Sequence, residues 1–289
     1  MKYIYYPGCS LKGTGRAYEE SLLPVLDTLQ VPYEELKEWN CCGATAYMSV
    51  DETRAFALAA RNLAMAEEIG SGEPGKPATV MAPCNACYLV LSKAKRYIEE
   101  NPRLGRTIKG ALAAADLKYQ GTAVVRHPLD ILINDVGLDR IKAEVKKPLK
   151  GLRVVPYYGC QIVRPYATFD DQFNPTSMDR LLKAAGAEIV EYPLKTRCCG
   201  GSLTGTIPEV GVPLNFILLK EAKRRGADVV ATTCPLCQFN LECYQNKMSE
   251  PIKMPVAYFT QLLGLAFGIP REKLGFNHIF VQPAPAMVS

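Results

Sequence analysis

Eleven cysteines stand against two histidines in 289 residues, so the reactive side chains of this sequence are overwhelmingly thiols. Ten of them obey a pattern that occurs twice. Cys9 is followed by the adjacent pair Cys41 and Cys42, then by Cys84 and Cys87; Cys160 is followed by Cys198 and Cys199, then by Cys234 and Cys237. Each time the order is a single cysteine, a CCG and a CxxC. The halves are offset by 151, 157 and 150 residues at these three elements. An internal duplication explains the agreement, with length changes confined to the intervals. The longer first interval between pair and CxxC contains SGEPGKP at 71–77, a surface-loop composition that can lengthen at little cost.

The spacing bears on chemistry. A CxxC brings two thiols together around one turn, and at a helix start its thiolates gain from unpaired amides and the helix dipole. Adjacent cysteines on a regular strand face opposite ways. Gly43 and Gly200, directly after the pairs, permit a turn that aims both sulfurs at one centre. Gly8 and Gly159 precede the single cysteines and let backbone approach an inorganic core. Five thiols per set exceed the four that tetrahedral zinc takes, and the four that ordinary cubane clusters take. Either one thiol of each set is free or the cluster is unusual. The all-sulfur donor set favours iron–sulfur over zinc. A disulfide framework is disfavoured by the odd cysteine count, and by the reducing cytoplasm in which the chain is expected.

These thiols need elements to position them. YIYY at 3–6 and RVVPYY at 153–158 read as strands, each stopping at a glycine before its cysteine. ATVMA at 78–82 and DVVAT at 228–232 are β-branched, apolar strand candidates that run into the CxxC motifs. Helical spacing follows both CxxC motifs and marks 51–69, 213–226 and 178–186. The segment 14–30 also reads as helical, with Pro24 starting or kinking it. The order strand, helix, strand, helix, strand in each half predicts an α/β fold. Two similar domains are expected, residues 1–145 and 146–289, each with a small, mostly parallel sheet flanked by helices. The charged linker lies near 137–151, and 101–136 adds a helix and a strand to the first half. Loops at the C-terminal ends of parallel strands are the usual place for a site, and all three cysteine elements of a half can meet there.

Composition closes off other classes. Hydrophobic residues make up 48% and charged residues 22%, enough for a real core and not a disordered chain. The net charge of +5 is mild, and no basic run points to nucleic acid. No leader-like segment opens the chain and no apolar stretch reaches a spanning length. The longest, AYFTQLLGLAFGI at 257–269, reads as a buried helix. The expectation is a cytoplasmic chain that is not itself transmembrane.

Fewer features lie outside the repeat. His127, in VVRHPLD, suits general acid work by its ordinary pKa, against the plainer reading of a buried histidine capping a strand. His278 reads as structural or exposed. Lys12, Arg16, Arg126, Arg164, Lys195 and Arg197 lie near the motifs and suit attraction of an anionic substrate or tuning of a metal centre, though each reads first as surface. Tyr6 and Tyr158 are placed to shield a centre or simply to pack the core. Cys243 breaks the repeat and reads as a small buried apolar side chain. The C-terminal FVQPAPAMVS reads as a loose tail suited to packing on a partner.

YPGCS, CCGA, APCNAC, RHPLDIL, CCGG and CPLCQFNL together resemble the cysteine-rich CCG-domain family, and most closely the B subunit of heterodisulfide reductase and its relatives. The resemblance runs from YPGCSLKGT through PVAYFTQLLGLAFG. It implies two noncubane [4Fe-4S] clusters, one held by Cys9, Cys41, Cys42, Cys84 and Cys87, the other by Cys160, Cys198, Cys199, Cys234 and Cys237. Some sulfurs would bridge two irons, which explains the fifth. It further implies two-electron reduction of a disulfide between two thiol cofactors, of the CoM-S-S-CoB type, with the disulfide between the clusters and His127 near the reacting centre. A ferredoxin-like iron–sulfur subunit and a flavin-containing subunit are the implied partners, since the chain carries no motif of its own for electron input. Two alternatives stay open. One is an electron-transfer subunit of a related oxidoreductase acting on another disulfide, a quinone or a redox protein; the other is a zinc-stabilised structural subunit.

Overall fold

The computed structural model describes residues 2–44 and 46–283. The last six residues of the expected C-terminal tail lie outside the described residues. Two four-stranded sheets carry the fold, and every strand pairing in both is parallel. The first contains β1 (Tyr3–Tyr5), β2 (Tyr33–Glu35), β3 (Thr79–Met81) and β4 (Val124–Arg126) in the order β2-β1-β3-β4. The second contains β5 (Arg153–Tyr157), β6 (Glu188–Ile189), β7 (Val229–Thr232) and β8 (Val256–Tyr258) in the order β6-β5-β7-β8. The duplication read from the cysteines is therefore a duplication of topology, and the two domains are α/β as expected.

In each half two strands were placed on residues (β1 and β3, β5 and β7) within an expected strand, helix, strand, helix, strand order, and among the described residues four are present. The additional pairs are β2 with β6, only three and two residues long, and β4 with β8. Val256–Tyr258 forms a strand although 257–269 reads as continuous helix; the helix begins at Phe259 and ends at Ala266. A three-residue buried strand is too short to show the alternation that separates strand from helix. The extra helix and strand expected within 101–136 are Pro102–Ala113 and β4.

The long helices are α1 (Arg16–Thr28), α2 (Glu52–Ile69), α3 (Asn85–Glu100), α4 (Ser177–Ala184), α5 (Pro208–Arg224), α6 (Pro235–Cys243) and α7 (Phe259–Ala266), with Pro102–Ala113 between α3 and α4. Helix α1 runs unbroken through Pro24. Asp51 caps α2 by accepting from the Arg54 amide at 3.0 Å. The chain falls into two compact units, Met1–Cys9 with Val31–Pro128, and Ser10–Gln30 with Leu129–Ser289. These differ from the division at 145/146 in two places: residues 129–145 group with the second unit, and α1 also packs with elements of the second half. Its buried face (Ala17, Tyr18, Leu22, Val25, Leu26) meets α7. The Tyr18 ring stacks on Tyr258 at 4.6 Å, and the Ser21 and Thr260 hydroxyls share a hydrogen bond of 2.6 Å. The α7 helix is buried along its whole length, so the apolar face of α1 is its natural cover. Among the described residues no helix is long and apolar enough to cross a membrane.

Candidate metal centres

Each cysteine element follows the C-terminal end of a parallel strand. Cys9 follows β1, Cys41 and Cys42 follow β2, and Cys84 follows β3; Cys160 follows β5, Cys198 and Cys199 follow β6, and Cys234 follows β7. The sheets thus gather five thiols at one edge of each unit. Cys84 and Cys234 stand at the N-cap positions of α3 and α6, with Cys87 and Cys237 in the first turn, but neither N-cap side chain makes a cap hydrogen bond; the amide bonds to sulfur go to the CCG pairs instead.

In the first unit the sulfurs form one continuous string. Cys9 Sγ lies 3.7 Å from Cys41 Sγ, and Cys42 Sγ lies 3.3 Å from Cys87 Sγ. Hydrogen bonds between Cys41 and Cys42, and between Cys84 and Cys87, complete it. Cys41 is the natural thiolate of the string: bonds donated by Cys42 and Cys9 and by the Gly43 amide hold its pKa down at about 2. Its neighbours rise in consequence. Cys42 is pushed up to about 12 by its bond to Cys41, and Cys9 rises through its bond to Cys41 and its burial. Cys87 is held well above the ordinary thiol range by bonds to Cys42 and Cys84 and by burial.

In the second unit the same sulfurs divide into a pair and a trio. Cys160 bonds Cys198; Cys199 Sγ lies 3.5 Å from Cys237 Sγ, which also bonds Cys234. Cys198 is lowered to about 6 by the bond from Cys160 and the Gly200 amide. Cys199 is lowered first by the hydrogen bond it shares with Cys237, helped by the Gly201 amide and the Asn240 side chain. Cys160 and Cys237 rise, each first through a hydrogen bond to a neighbouring thiol and then through burial. In both sets the inner sulfurs are buried (Cys42, Cys84, Cys87; Cys199, Cys234, Cys237). Cys41 and Cys198 are exposed, with Cys9 exposed and Cys160 half-buried beside them.

The turn after each pair depends on glycine. Gly200 has φ +90°, and a Cβ there would lie 2.6 Å from Thr204 Oγ1; Gly43 has φ +80°, with a Cβ 3.1 Å from Ala55 Cα. Gly8 allows close approach in the other sense, since its Cβ would stand 3.0 Å from Cys87 Sγ.

Two tyrosines lock these turns in place, Tyr6, which the sequence singled out as a shield or core residue, and Tyr157, which it did not. Tyr6 Oη donates to the Asn40 carbonyl at 2.8 Å, and Tyr157 Oη donates to the Arg197 carbonyl at 2.7 Å. Each acceptor immediately precedes a cysteine pair, and each tyrosine lies three residues before the single cysteine. The repeat partner of Tyr6 is therefore Tyr157, not Tyr158. The matching spacing Y-x-x-C was available in the sequence as a signal. Burial, followed by the charge of the neighbouring cysteines, pushes both phenols upward, so they act as neutral donors.

Tyr158 serves elsewhere. Its hydroxyl donates to Asp179, which also pairs with the buried Lys195 ammonium at 2.8 Å. Among the other basic residues, Lys12 pairs with Glu19 at 2.7 Å and Arg16 with Glu20 at 2.8 Å. Arg164 donates to the Thr196 carbonyl, two residues before Cys198. Arg197 is exposed. His127 is fully buried, and its Nε2 donates to the Pro83 carbonyl at 2.8 Å, tying the end of β4 to the residue before Cys84. In strand register Tyr258 occupies the corresponding place in the second sheet. Cys243 is half-buried, pushed up to about 11 by burial and the neighbouring Glu242.

The donor sets fit iron–sulfur chemistry. They are all thiol, five in number, buried at their inner ends, and supplied with amide donors. Among the described residues no three His, Cys, Asp or Glu side chains are grouped as a single metal ion requires. The thiols lie in strings, a layout suited to several metal atoms.

The pattern of the cysteine-rich domain matches residues 3–92 and again 154–242. The chain belongs to this CCG family. The CCG assignment made on the motifs holds in both halves. The chain is 32% identical over 283 residues to the 8-methylmenaquinol:fumarate reductase membrane anchor subunit of Wolinella succinogenes, covering 96% of each chain. It is 32% identical over 285 residues to a protein of Archaeoglobus profundus described as like the B subunit of heterodisulfide reductase, covering 95% of this chain and 93% of that one. Over 290 residues it is 28% identical to the B subunit of the ferredoxin/F420H2-dependent CoB-CoM heterodisulfide reductase of Methanosarcina acetivorans, covering 97% and 94%. A hypothetical protein from Helicobacter pylori shares the fold with a TM-score of 0.75 at 12% identity, over 97% of this chain and 52% of that one. This CCG protein is thus similar to subunits of oxidoreductase complexes over almost its whole length.

Proposed function

We propose that this CCG protein is the iron–sulfur redox subunit of a heterodisulfide reductase-like complex, carrying one noncubane [4Fe-4S] cluster on each five-thiol set. The observation that carries this reading is the convergence of five thiols at the strand ends of both units. When bound, each cluster would supply one-electron redox chemistry and a Lewis-acidic iron for a substrate sulfur. The protein's own contribution is positional. Cys84, Cys87, Cys234 and Cys237 form the buried floor of each set, while Cys41 and Cys198 mark the open side where a substrate enters. Tyr6 and Tyr157 fix the CCG turns as neutral donors. His127 steadies the carbonyl before Cys84, and the proton-donor role expected for it would have to pass through a fully buried ring. In this reading the substrate is a thiol-cofactor disulfide of the CoM-S-S-CoB type, reduced by two electrons. The electrons come through a ferredoxin-like iron–sulfur subunit and a flavin-containing subunit in the cytoplasm. The likeness to the 8-methylmenaquinol:fumarate reductase protein supports a second reading, a quinol-linked complex with the same two clusters.

The test is to purify the chain anoxically with its natural partners and measure iron, zinc and acid-labile sulfide. About eight irons and about eight sulfides per chain are expected for two four-iron clusters. Zinc without sulfide would overturn the redox reading and leave a structural subunit. Turnover of the heterodisulfide against turnover of a menaquinol analogue by the intact complex separates the two redox readings.

A further inference from the structure

The two thiol sets have the same ligands but different polar surroundings. Asn240 is almost fully buried on α6, one turn past Cys237. Its Nδ2 donates to Cys199 Sγ at 3.4 Å, and is also within bonding distance of the carbonyls of Cys199 (3.2 Å) and Gly201 (2.8 Å). The corresponding position on α3, one turn past Cys87, is Val90, which is buried and has no hydrogen to donate. A second difference lies beside Cys198. Arg164 stands four residues after Cys160, and its guanidinium donates to the Thr196 carbonyl, which brings a positive charge to the chain two residues before Cys198. Four residues after Cys9 the sequence has Gly13, with no charge to offer.

Hydrogen bonds to ligand sulfur and nearby positive charge both stabilise the more negative, reduced form of a thiolate-bound cluster, and so raise its potential. Solvent exposure acts on potential too, but the sets differ in exposure class at one cysteine only, Cys9 against Cys160. A direct donor and a full charge outweigh that difference. Resting on the iron–sulfur reading, we propose that Asn240 and Arg164 are positioning residues that make the second thiol set the first to take an electron. The two sites are then non-equivalent: the second set collects the first electron, and the first set, at lower potential, is the stronger reductant.

The test is an anoxic redox titration of the holoprotein with dithionite and mediator dyes, followed by electron paramagnetic resonance. Dithionite supplies one electron per cluster. Sites are assigned with Cys42→Ser, which leaves the second set, and Cys199→Ser, which leaves the first. The second set is expected to titrate higher, with a one-electron equilibrium shifted about tenfold, or ~59 mV. Asn240→Val and Arg164→Gln should each lower the second midpoint severalfold in that equilibrium and leave the first unmoved. If Asn240→Val loosens the CCG turn and loses its cluster, Arg164→Gln carries the test alone, because its side chain makes no bond to a ligand. Equal or reversed midpoints in a protein with about eight irons would overturn this proposal and leave the cluster reading standing. A second midpoint unmoved in the variants that keep their iron would do the same. A protein without iron and sulfide would overturn both.

Discussion

In the first thiol set the sulfurs are one another's hydrogen-bonding partners from Cys9 to Cys84, whereas in the second the string is interrupted and other donors step in. Cys41 sits between two thiol donors and is driven down to about 2; Cys198 has one thiol donor and the Gly200 amide and reaches only about 6. Cys199 takes a side-chain amide where, among the described residues, none is found on Cys42. The duplicated backbone has kept the sulfurs in place, since each strand end, helix start and CCG turn recurs. What has diverged is the layer behind them, including Asn240 for Val90, Arg164 for Gly13 and Tyr258 for His127. A scaffold that fixes ligand identity while the residues behind the ligands drift can hold two chemically similar centres and give them different electronic work.

The strongest way to break that comparison is to remove one inner thiol at a time. Cys42→Ser and Cys199→Ser should each lose the cluster of their own unit, leaving about four of the eight irons expected for two clusters. Iron and sulfide counts check it. Loss of all the iron from one substitution would mean the two sets do not load independently.

Next in size are the CCG turns. Gly200→Ala would force a Cβ at φ +90° to within 2.6 Å of Thr204 Oγ1 and 3.0 Å of Gly211 Cα. Backbone strain plus overpacking should cost about 2–4 kcal/mol. Gly43→Ala meets nothing nearer than Ala55, at 3.1 Å from Cα, 3.3 Å from Cβ and 3.4 Å from the carbonyl oxygen, and should cost less. Denaturant midpoints of the two variants compare the turns directly, and a larger loss from Gly43→Ala would reverse the ranking.

Much of this arrangement was legible in the sequence because it rests on spacing. The two five-cysteine sets, the strands before Cys9, Cys84, Cys160 and Cys234, and the helices after each CxxC all follow from local pattern. The helix over 14–30 was legible too, but not that it would pack on α7, because an amphipathic face declares that it needs a cover without naming it. Strands β2 and β6 were hidden by their length, and β8 by the apolar run it shares with α7. The roles of Asn240 and Tyr157 were hidden for another reason. Each bonds an atom about forty residues away, and only the folded chain brings these partners together.

A pH experiment sharpens the contrast between α6 and α3. Glu242 on α6 is buried, and burial raises its pKa to about 7 against the opposing bonds from the Val281 amide and Gln238. Its counterpart one repeat earlier is Ser92, which does not titrate. The folded protein holds the Glu242 proton more tightly than the unfolded chain does. Its stabilising effect is therefore complete below the unfolded value near 4.5 and is lost as pH rises through about 7. About 3 kcal/mol of stability should disappear across that window. Glu242→Gln should flatten the profile between pH 5 and pH 8 on the order of that amount. Urea titrations at a series of pH values check it, and an unchanged slope in the variant would assign the effect to another group.

The smallest effect tests the two tyrosines. Tyr6 and Tyr157 make the same bond in sequence terms, yet their acceptors differ. The Asn40 carbonyl also accepts from Asn62 Nδ2 at 3.0 Å, so Tyr6→Phe leaves it partnered. The Arg197 carbonyl takes its bond from Tyr157, and no second donor to it is found among the described residues. Tyr157→Phe should then cost about 1–1.5 kcal/mol, and Tyr6→Phe about 0.5 kcal/mol. Because the bond pins a turn, the loss should concentrate there. Amide exchange should quicken at residues 198–201 in Tyr157→Phe, and much less at 41–44 in Tyr6→Phe. Equal acceleration in the two turns would mean that Asn62 does not support the Asn40 carbonyl once the phenol is gone, and that the first turn hangs on its tyrosine as completely as the second.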